Sequence, residues 1–310
     1  MLVAVLLKVP GKAMSLFILA GILFLQPLMG QDIIHLYKGK APGSEEWNWT
    51  EGETTKNPTN TKIVYNVTTP TLTLFSPAPE ISNGCAVIIV PGGGGRVLLF
   101  EKEGEMTARH LVKKGITVFV LKYRLAQTKT DDPWAEMMAS LRDSSARRAS
   151  ASSSQVTMAR ADLVAAVRHV RKHAAKYKID SSRVGLIGFS AGAVMSLNII
   201  YNADFDAVPD FAAINYGVMQ NVQKAPFREK VSPLFIASAA DDLLAPATNS
   251  IELFNEWYTA KIPVELHIYA KGRSDVKGVP PHGLNGAAAS TWVDRFVEWL
   301  NTLGFLHGKP

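Results

Sequence analysis

Val184-Gly185-Leu186-Ile187-Gly188-Phe189-Ser190-Ala191-Gly192, continued by the apolar run Val194–Ile200, is the stretch on which the fold turns. Val184–Phe189 reads as a short buried strand and Val194–Ile200 as part of the helix after it. Between them stands Gly188-x-Ser190-x-Gly192. A serine hydroxyl is a weak nucleophile until a base takes its proton, and it meets substrate only if it projects clear of the sheet edge. Glycines at 188 and 192 permit a strand-to-helix turn sharp enough for that, and they turn the helix N-terminus and the Ala191 amide toward a developing oxyanion. The plainer reading, a serine capping a helix in a glycine-rich turn, remains open. The strand before and the helix after favour the nucleophile.

Outward from this turn the same alternation continues. Strands are expected at Lys62–Asn66, Thr71–Phe75, Ala86–Val90, Thr117–Leu121, Val184–Phe189, Phe211–Tyr216, Leu234–Ser238 and Val264–Tyr269, with the first two hairpin-like. Helical period marks Met158–Tyr177, where Leu163, Val167, Val170, Ala174 and Tyr177 share a face, and Ala289–Leu303, where Trp292, Phe296, Trp299, Leu300 and Leu303 do so. Strand, helix, strand at this spacing demands parallel pairing, so the expected fold is α/β with an eight-stranded, mostly parallel sheet and helices on both faces. Residues 31–60 show neither period and read as an extended N-terminal arm, which leaves 61–310 as one large domain. Ala126–Thr157 breaks the rhythm with Asp131, Asp132, Pro133, Trp134 and the Ser/Arg/Ala-rich tract Ser144–Ser154. Its composition favours a solvated insertion over a lid.

With 310 residues, 47% hydrophobic and 19% charged, the chain can close a large core. Disorder, a disulfide-stapled miniprotein and a coiled coil are excluded. The formal charge is +6, but the basic side chains are scattered rather than gathered into a stripe, which argues against nucleic acid. Residues 1–30 carry Lys8 and Lys12, no acid, the apolar run Ala13–Leu25 and a terminal Gly30. They read as a signal peptide cut before Gln31, with an uncleaved anchor as the alternative, since the run is near the lower limit for a bilayer and Leu28 is not an ideal residue two before the cut. The one cysteine, Cys85, cannot form an internal disulfide. An exported protein, periplasmic or secreted and without stable membrane association after cleavage, is the expectation.

Three further segments bear on the chemistry. Pro91-Gly92-Gly93-Gly94-Gly95 follows Ala86–Val90, and backbone amides reach an oxyanion only where no side chain intervenes. It has neither the Gly-Lys-Ser/Thr ending nor the Gly-x-Gly-x-x-Gly spacing of a phosphate cradle. After Leu234–Ser238 come Asp241 and Asp242, either of which can hold an imidazole in the tautomer that accepts a serine proton, or cap the next helix. In the order serine, acid, base, the histidine follows the acid, leaving His267, His282 and His307 of seven. His267 falls within a strand and His307 beyond the last helix; His282 sits in the loop Lys271–Gly286 with Pro280 and Pro281. His169 and His173 are spaced i, i+4, but without a further ligand they read as solvated helix residues, and no metal is expected.

On these motifs the chain resembles the α/β-hydrolase superfamily, in particular exported bacterial esterases similar to acetylxylan esterases and to the hormone-sensitive-lipase-like group. The likeness runs from about Lys62 to Leu306 and includes the arm segment Leu36–Ser44. It implies Ser190 as nucleophile, the amides of Gly93, Gly94 and Ala191 as oxyanion donors, and, through the spacing to Pro246, Asp242 as the acid. Pro91 stands where many relatives have histidine, a known style of the esterase branch. One departure is marked: Gly272-Arg273-Ser274-Asp275-Val276-Lys277 replaces the usual Gly-Gly-His-Gly-Phe-Gly, so the family's histidine position is Ser274. Either the loop is rebuilt so that His282 reaches Ser190, or the base is gone.

The resemblance implies a serine carboxylester hydrolase without metal or organic cofactor, acting on short acyl esters such as acetyl groups of plant polysaccharide or of small carbohydrate esters. Two alternatives stand beside it. One is a peptidase of the prolyl-oligopeptidase type. The other is a catalytically impaired relative that binds carbohydrate through Trp47, Trp49 or Trp134.

Overall fold

The computed structural model describes residues 32–143, 154–272, 280–286 and 288–307. The expected signal 1–30, the tract 144–153 and the substituted position Ser274 lie outside the described residues. In chain order the strands are β1 (Ile33–His35), β2 (Gly52–Thr54), β3 (Ile63–Tyr65), β4 (Thr71–Phe75), β5 (Ala86–Val90), β6 (Val97–Leu98), β7 (Thr117–Lys122), β8 (Val184–Phe189), β9 (Ala212–Asn215), β10 (Leu234–Ala239) and β11 (Val264–Tyr269). The helices are α1 (Met106–Val112), α2 (Pro133–Arg142), α3 (Ser154–Lys172), α4 (Ala174–Tyr177), α5 (Ala191–Asn202), α6 (Ala247–Thr259) and α7 (Trp292–Thr302).

The main sheet has eight strands in the order β1-β4-β7-β5-β8-β9-β10-β11. β4 runs against both of its neighbours, and every pair from β7 to β11 is parallel. Every residue of β5, β8, β9 and β10 is buried. A strand without an exposed position has both faces covered, which is why these segments read as unbroken apolar runs rather than as alternations. α5 packs against α3, and α1 against α7. After β1 and β4 at one side of the sheet, the chain lays down β5, steps back to β7 on one side of it and returns to β8 on the other. The crevice at the carboxyl ends of β5 and β8 is therefore the point where the strand order reverses, the usual place for a ligand in an open α/β sheet.

Several expectations need correction. Lys62–Asn66 is not a strand of the main sheet: Ile63–Tyr65 joins a separate three-stranded sheet, pairing antiparallel with β2 and β6. Left-handed backbone at Asn60 (φ 48°) and Asn66 (φ 57°) turns the chain at both ends of this segment. The eighth place is taken by β1, in the arm, a strand of three residues and thus too short to show a period. The helix over 158–177 begins at Ser154 and is interrupted at His173. The insertion is more than a solvated loop. Asp132 caps α2 by accepting from the Ala135 amide at 3.0 Å, with Pro133 in the first turn, and Met137 and Met138 bury themselves against Ile63 and Val97.

The arm is held by a fully buried ion pair. Arg124, just past β7, places Nη2 2.7 Å from Asp162 Oδ1 on α3, with both side chains wholly out of solvent. The remaining polarity reaches the arm: Arg124 Nη1 donates to the Pro42 carbonyl at 2.6 Å and to Ser44 Oγ at 3.2 Å, and the Tyr37 hydroxyl donates to Asp162 at 3.0 Å. Removing one charge of such a pair strands the other. Asp162→Asn is accordingly expected to lower unfolding stability by about 3–5 kcal/mol, and Tyr37→Phe by about 1 kcal/mol, measured by chemical denaturation.

Candidate active site

Ser190 sits in the turn between β8 and α5 with φ 49° and ψ −114°, a backbone region that side chains rarely enter. That conformation costs about 1–3 kcal/mol and persists only where the surroundings impose it. The Ser190 amide donates to the Asn215 carbonyl at the end of β9, and its carbonyl accepts from the Val194 amide. The closest approach is at Gly192: a Cβ there would stand 2.0 Å from the Val90 carbonyl oxygen, so only glycine lets the elbow lie against the end of β5. The hydroxyl leaves the sheet edge as the sequence pattern predicts.

His282 Nε2 lies 3.1 Å from Ser190 Oγ, and His282 Nδ1 lies 2.9 Å from each oxygen of Asp242. The Asp242 side chain is fully buried and also accepts from the amides of Leu244 (2.9 Å), Ala245 (2.7 Å) and Gly283 (3.2 Å). These bonds fix the carboxylate, and the carboxylate fixes the ring. Asp241 has a different place. It accepts from the Gly272 amide at 2.9 Å and so anchors the loop that carries His282. Neither aspartate caps the following helix, whose N-cap is Pro246 without a side-chain bond. The other histidines stay apart: His267 bonds Glu265 and stacks on Phe235, and the His307 carbonyl accepts from Arg183. Among the described residues, His282 is the histidine that stands beside Ser190.

The glycine loop runs beside this pair. Gly93 (φ 129°) could carry no side chain, since a Cβ would come 2.1 Å from the Val97 carbonyl oxygen. The amides of Gly93, Gly94 and Ala191 donate to no acceptor among the described residues, whereas the Gly92 amide is taken by Glu103 at 2.6 Å. Glu103 and its second donor, Tyr216, carry no mark in the sequence. The first lies in the charged run Glu101–Glu105 that reads as surface, and the second has only its position after a strand to recommend it.

Two recesses open on Ser190 and His282. The larger, about 510 Å³, is walled mainly by apolar groups including Leu141, Val156, Val194, Met195 and Val218. The smaller, about 60 Å³, is bounded by Trp134, Met137, Met138 and Pro280. Trp134 thus borders the site, while Trp47 and Trp49 pair with each other, ring centroids 4.4 Å apart. His169 and His173 stack at 4.2 Å, and no cluster suited to a metal ion occurs among the described residues. Cys85 is buried, which pushes its thiol up to about 12 and removes it as a nucleophile.

A family model described as the dienelactone hydrolase family matches residues 73–304. An acetylxylan esterase of Xylanibacter ruminicola is 26% identical over 256 residues, 73% of this chain and 46% of that protein. An endo-1,4-beta-xylanase B of Butyrivibrio fibrisolvens is 23% identical over 239 residues, 66% of this chain and 34% of that protein. The chain thus spans less than half the length of these relatives. Among solved structures, an acetyl ester-xyloside bifunctional hydrolase from Caldicellulosiruptor lactoaceticus superposes with a TM-score of 0.61 at 20% identity, over 89% of this chain and 98% of that one. A propionate-bound esterase of Thermogutta terrifontis gives 0.58 at 18% identity, over 78% and 92%. Likeness at these identities establishes a shared fold.

The elbow gives a direct test. Gly192→Ala is expected to force the turn away from the Val90 carbonyl and to lower stability by about 1–3 kcal/mol, read as a lowered Tm.

Proposed function

This chain belongs to the dienelactone hydrolase family of the α/β-hydrolase superfamily, and we propose that within it the chain acts as a serine carboxylester hydrolase. The observation that carries the proposal is the unbroken bond path from Ser190 Oγ to His282 Nε2 and from His282 Nδ1 to Asp242. Ser190 Oγ attacks the ester carbonyl while His282 Nε2 takes its proton. Asp242 holds the Nδ1 proton and steadies the imidazolium. The amides of Gly93, Gly94 and Ala191 receive the oxyanion of the tetrahedral intermediate. Its collapse expels the alcohol, to which His282 returns the proton, and water then repeats the sequence on the acyl-enzyme. Every proton and electron pair is supplied by these groups, substrate and water, so the steps call for no cofactor.

The substrate class we propose is an ester of a short acyl group, such as acetyl on a plant polysaccharide or a small carbohydrate ester. An acyl chain ends, while the alcohol of a polymer continues. The small recess closed by Trp134, Met137 and Met138 has room for a handful of heavy atoms and suits the chain end; the wider cleft suits the alcohol. The relative named as an acetylxylan esterase agrees with this choice. Export through residues 1–30 would bring the protein to such substrates, and no helix among the described residues is long and apolar enough to cross a membrane.

On aryl acetate, Ser190→Ala and His282→Ala are each expected to lower kcat/KM by about 10³ or more. A parent no faster than Ser190→Ala would end the hydrolase reading and turn the search to carbohydrate binding. Across acyl chains, kcat/KM should be highest at about two to four carbons and fall about tenfold or more by eight. Met137→Ala should extend the tolerated length; a parent indifferent to length would place the acyl group in the larger cleft instead.

A further inference from the structure

Behind Ser190 and His282 lies a buried carboxylate that the hydrolytic steps leave unused. Glu103 belongs to the π-helical turn Phe100–Glu105, which closely follows the glycine loop, and is 5% exposed. Its Oε2 accepts from the Gly92 amide at 2.6 Å and its Oε1 from the Tyr216 hydroxyl at 2.8 Å. Gly92 directly precedes Gly93 and Gly94. Tyr216 stands at the carboxyl end of β9 in left-handed backbone (φ 41°), and its ring meets that of His282 edge-on, 5.0 Å between centroids and 76° between planes. One carboxylate is thereby joined to the glycine loop on one side and, through Tyr216, to the histidine on the other.

Placing a carboxylate away from water is costly, and two neutral donors offset only part of the cost. Burial pushes the Glu103 carboxyl up, and the bonds from Gly92 and Tyr216, with the charge of His282, pull against it. A glutamine or an apolar residue would fill the space without that expense. What the carboxylate adds is a negative charge near a ring that becomes positive when it takes the serine proton.

We propose that Glu103 is a positioning residue of this site: it fixes the glycine loop through Gly92 and the His282 ring through Tyr216, and its charge favours the imidazolium. The proposal rests on the reading of Ser190 as nucleophile and His282 as base. The charged and titratable groups around the ring are Asp242 at Nδ1, Tyr216 on its flank, Glu103 beyond Tyr216, and Lys102, which lines the same small recess. Tyr123, whose hydroxyl donates to the Pro91 carbonyl, also feels Glu103. Burial holds the hydroxyls of Tyr123 and Tyr216 far above their usual range, so both are neutral. Arg96, which lines the larger recess beside His282, is itself paired with Glu136 at 2.9 Å. Removing the Glu103 charge disfavours the imidazolium, so the ring stays neutral to lower pH.

Glu103→Gln tests this, since the amide oxygen still accepts from Gly92 and the amide nitrogen can still meet the Tyr216 oxygen while the charge is gone. On aryl acetate the variant is expected to lose about tenfold in kcat with KM changed less than about twofold, and the acid-side fall of kcat/KM should move down by about 0.5 pH unit. The His282 ring, followed by NMR without turnover, should titrate lower by a similar amount. Tyr216→Phe, which cuts the link and keeps the charge, should lower kcat with a smaller displacement of the acid limb. An unchanged acid limb and ring titration in a Glu103→Gln protein overturns the proposal, whether or not kcat and Tm have fallen. Should Glu103→Gln not fold, a Tyr216→Phe protein with parental kcat overturns it equally. If the parent proves no faster than Ser190→Ala, the hydrolase reading falls, and the ring titration still decides whether Glu103 acts on His282.

Discussion

The backbone at Ser190 is the constraint from which the rest follows. A left-handed residue between a strand and a helix is unfavourable in isolation, and here it is imposed from three sides. Gly192 lies against the Val90 carbonyl, the Ser190 amide is held by Asn215, and α5 starts at once. Those contacts require β5, β8 and β9 to end level with one another, which parallel pairing in one register provides. The same alignment brings the glycine loop after β5, Tyr216 after β9, Asp242 after β10 and the His282 loop after β11 to one edge. A serine raised by strain is thus surrounded by groups whose positions are set by sheet geometry rather than by the loops that carry them.

Polar groups sealed inside the protein divide into two kinds of expense. Arg124 and Asp162 are both charged and both wholly buried, and between them they join the arm, the end of β7 and α3, so the cost is returned as a fixed path for the arm. Glu103 has neutral donors in place of such a partner among its bonds, and it lies where the chemistry would generate a positive charge. The first arrangement is complete at rest. Under the proposed mechanism the second would gain its compensation during turnover, a distinction between structural and preorganised polarity that burial alone does not reveal.

Much of the site could be read from the sequence because its parts are short and local. Gly188–Gly192 and Pro91–Gly95 each declare a backbone need that few other residues can meet, and their positions after apolar runs place them at strand ends. His282 was reachable by exclusion, since His267 has the alternation of a strand around it and His307 follows the last helix. Illegible features were those that depend on distant partners. β1 is three residues long and joins the sheet only because β4 offers an edge. Ile63–Tyr65 has a strand's composition, but the left-handed turns at its flanking asparagines send it to another sheet, a pairing that no local preference specifies. Glu103 looks like one more surface acid until the fold brings Tyr216 to it across more than a hundred residues.

The smaller recess is walled by Met137 and Met138, which pack with Ile63 and Val97 in a cluster of their own, distinct from the core that holds the main sheet. Substitutions there change the shape of the cavity without entering the packing on which the elbow depends. Descendants of this gene can therefore drift in what they accept while the sheet and its elbow stay under independent selection, and novelty can accumulate one methionine at a time.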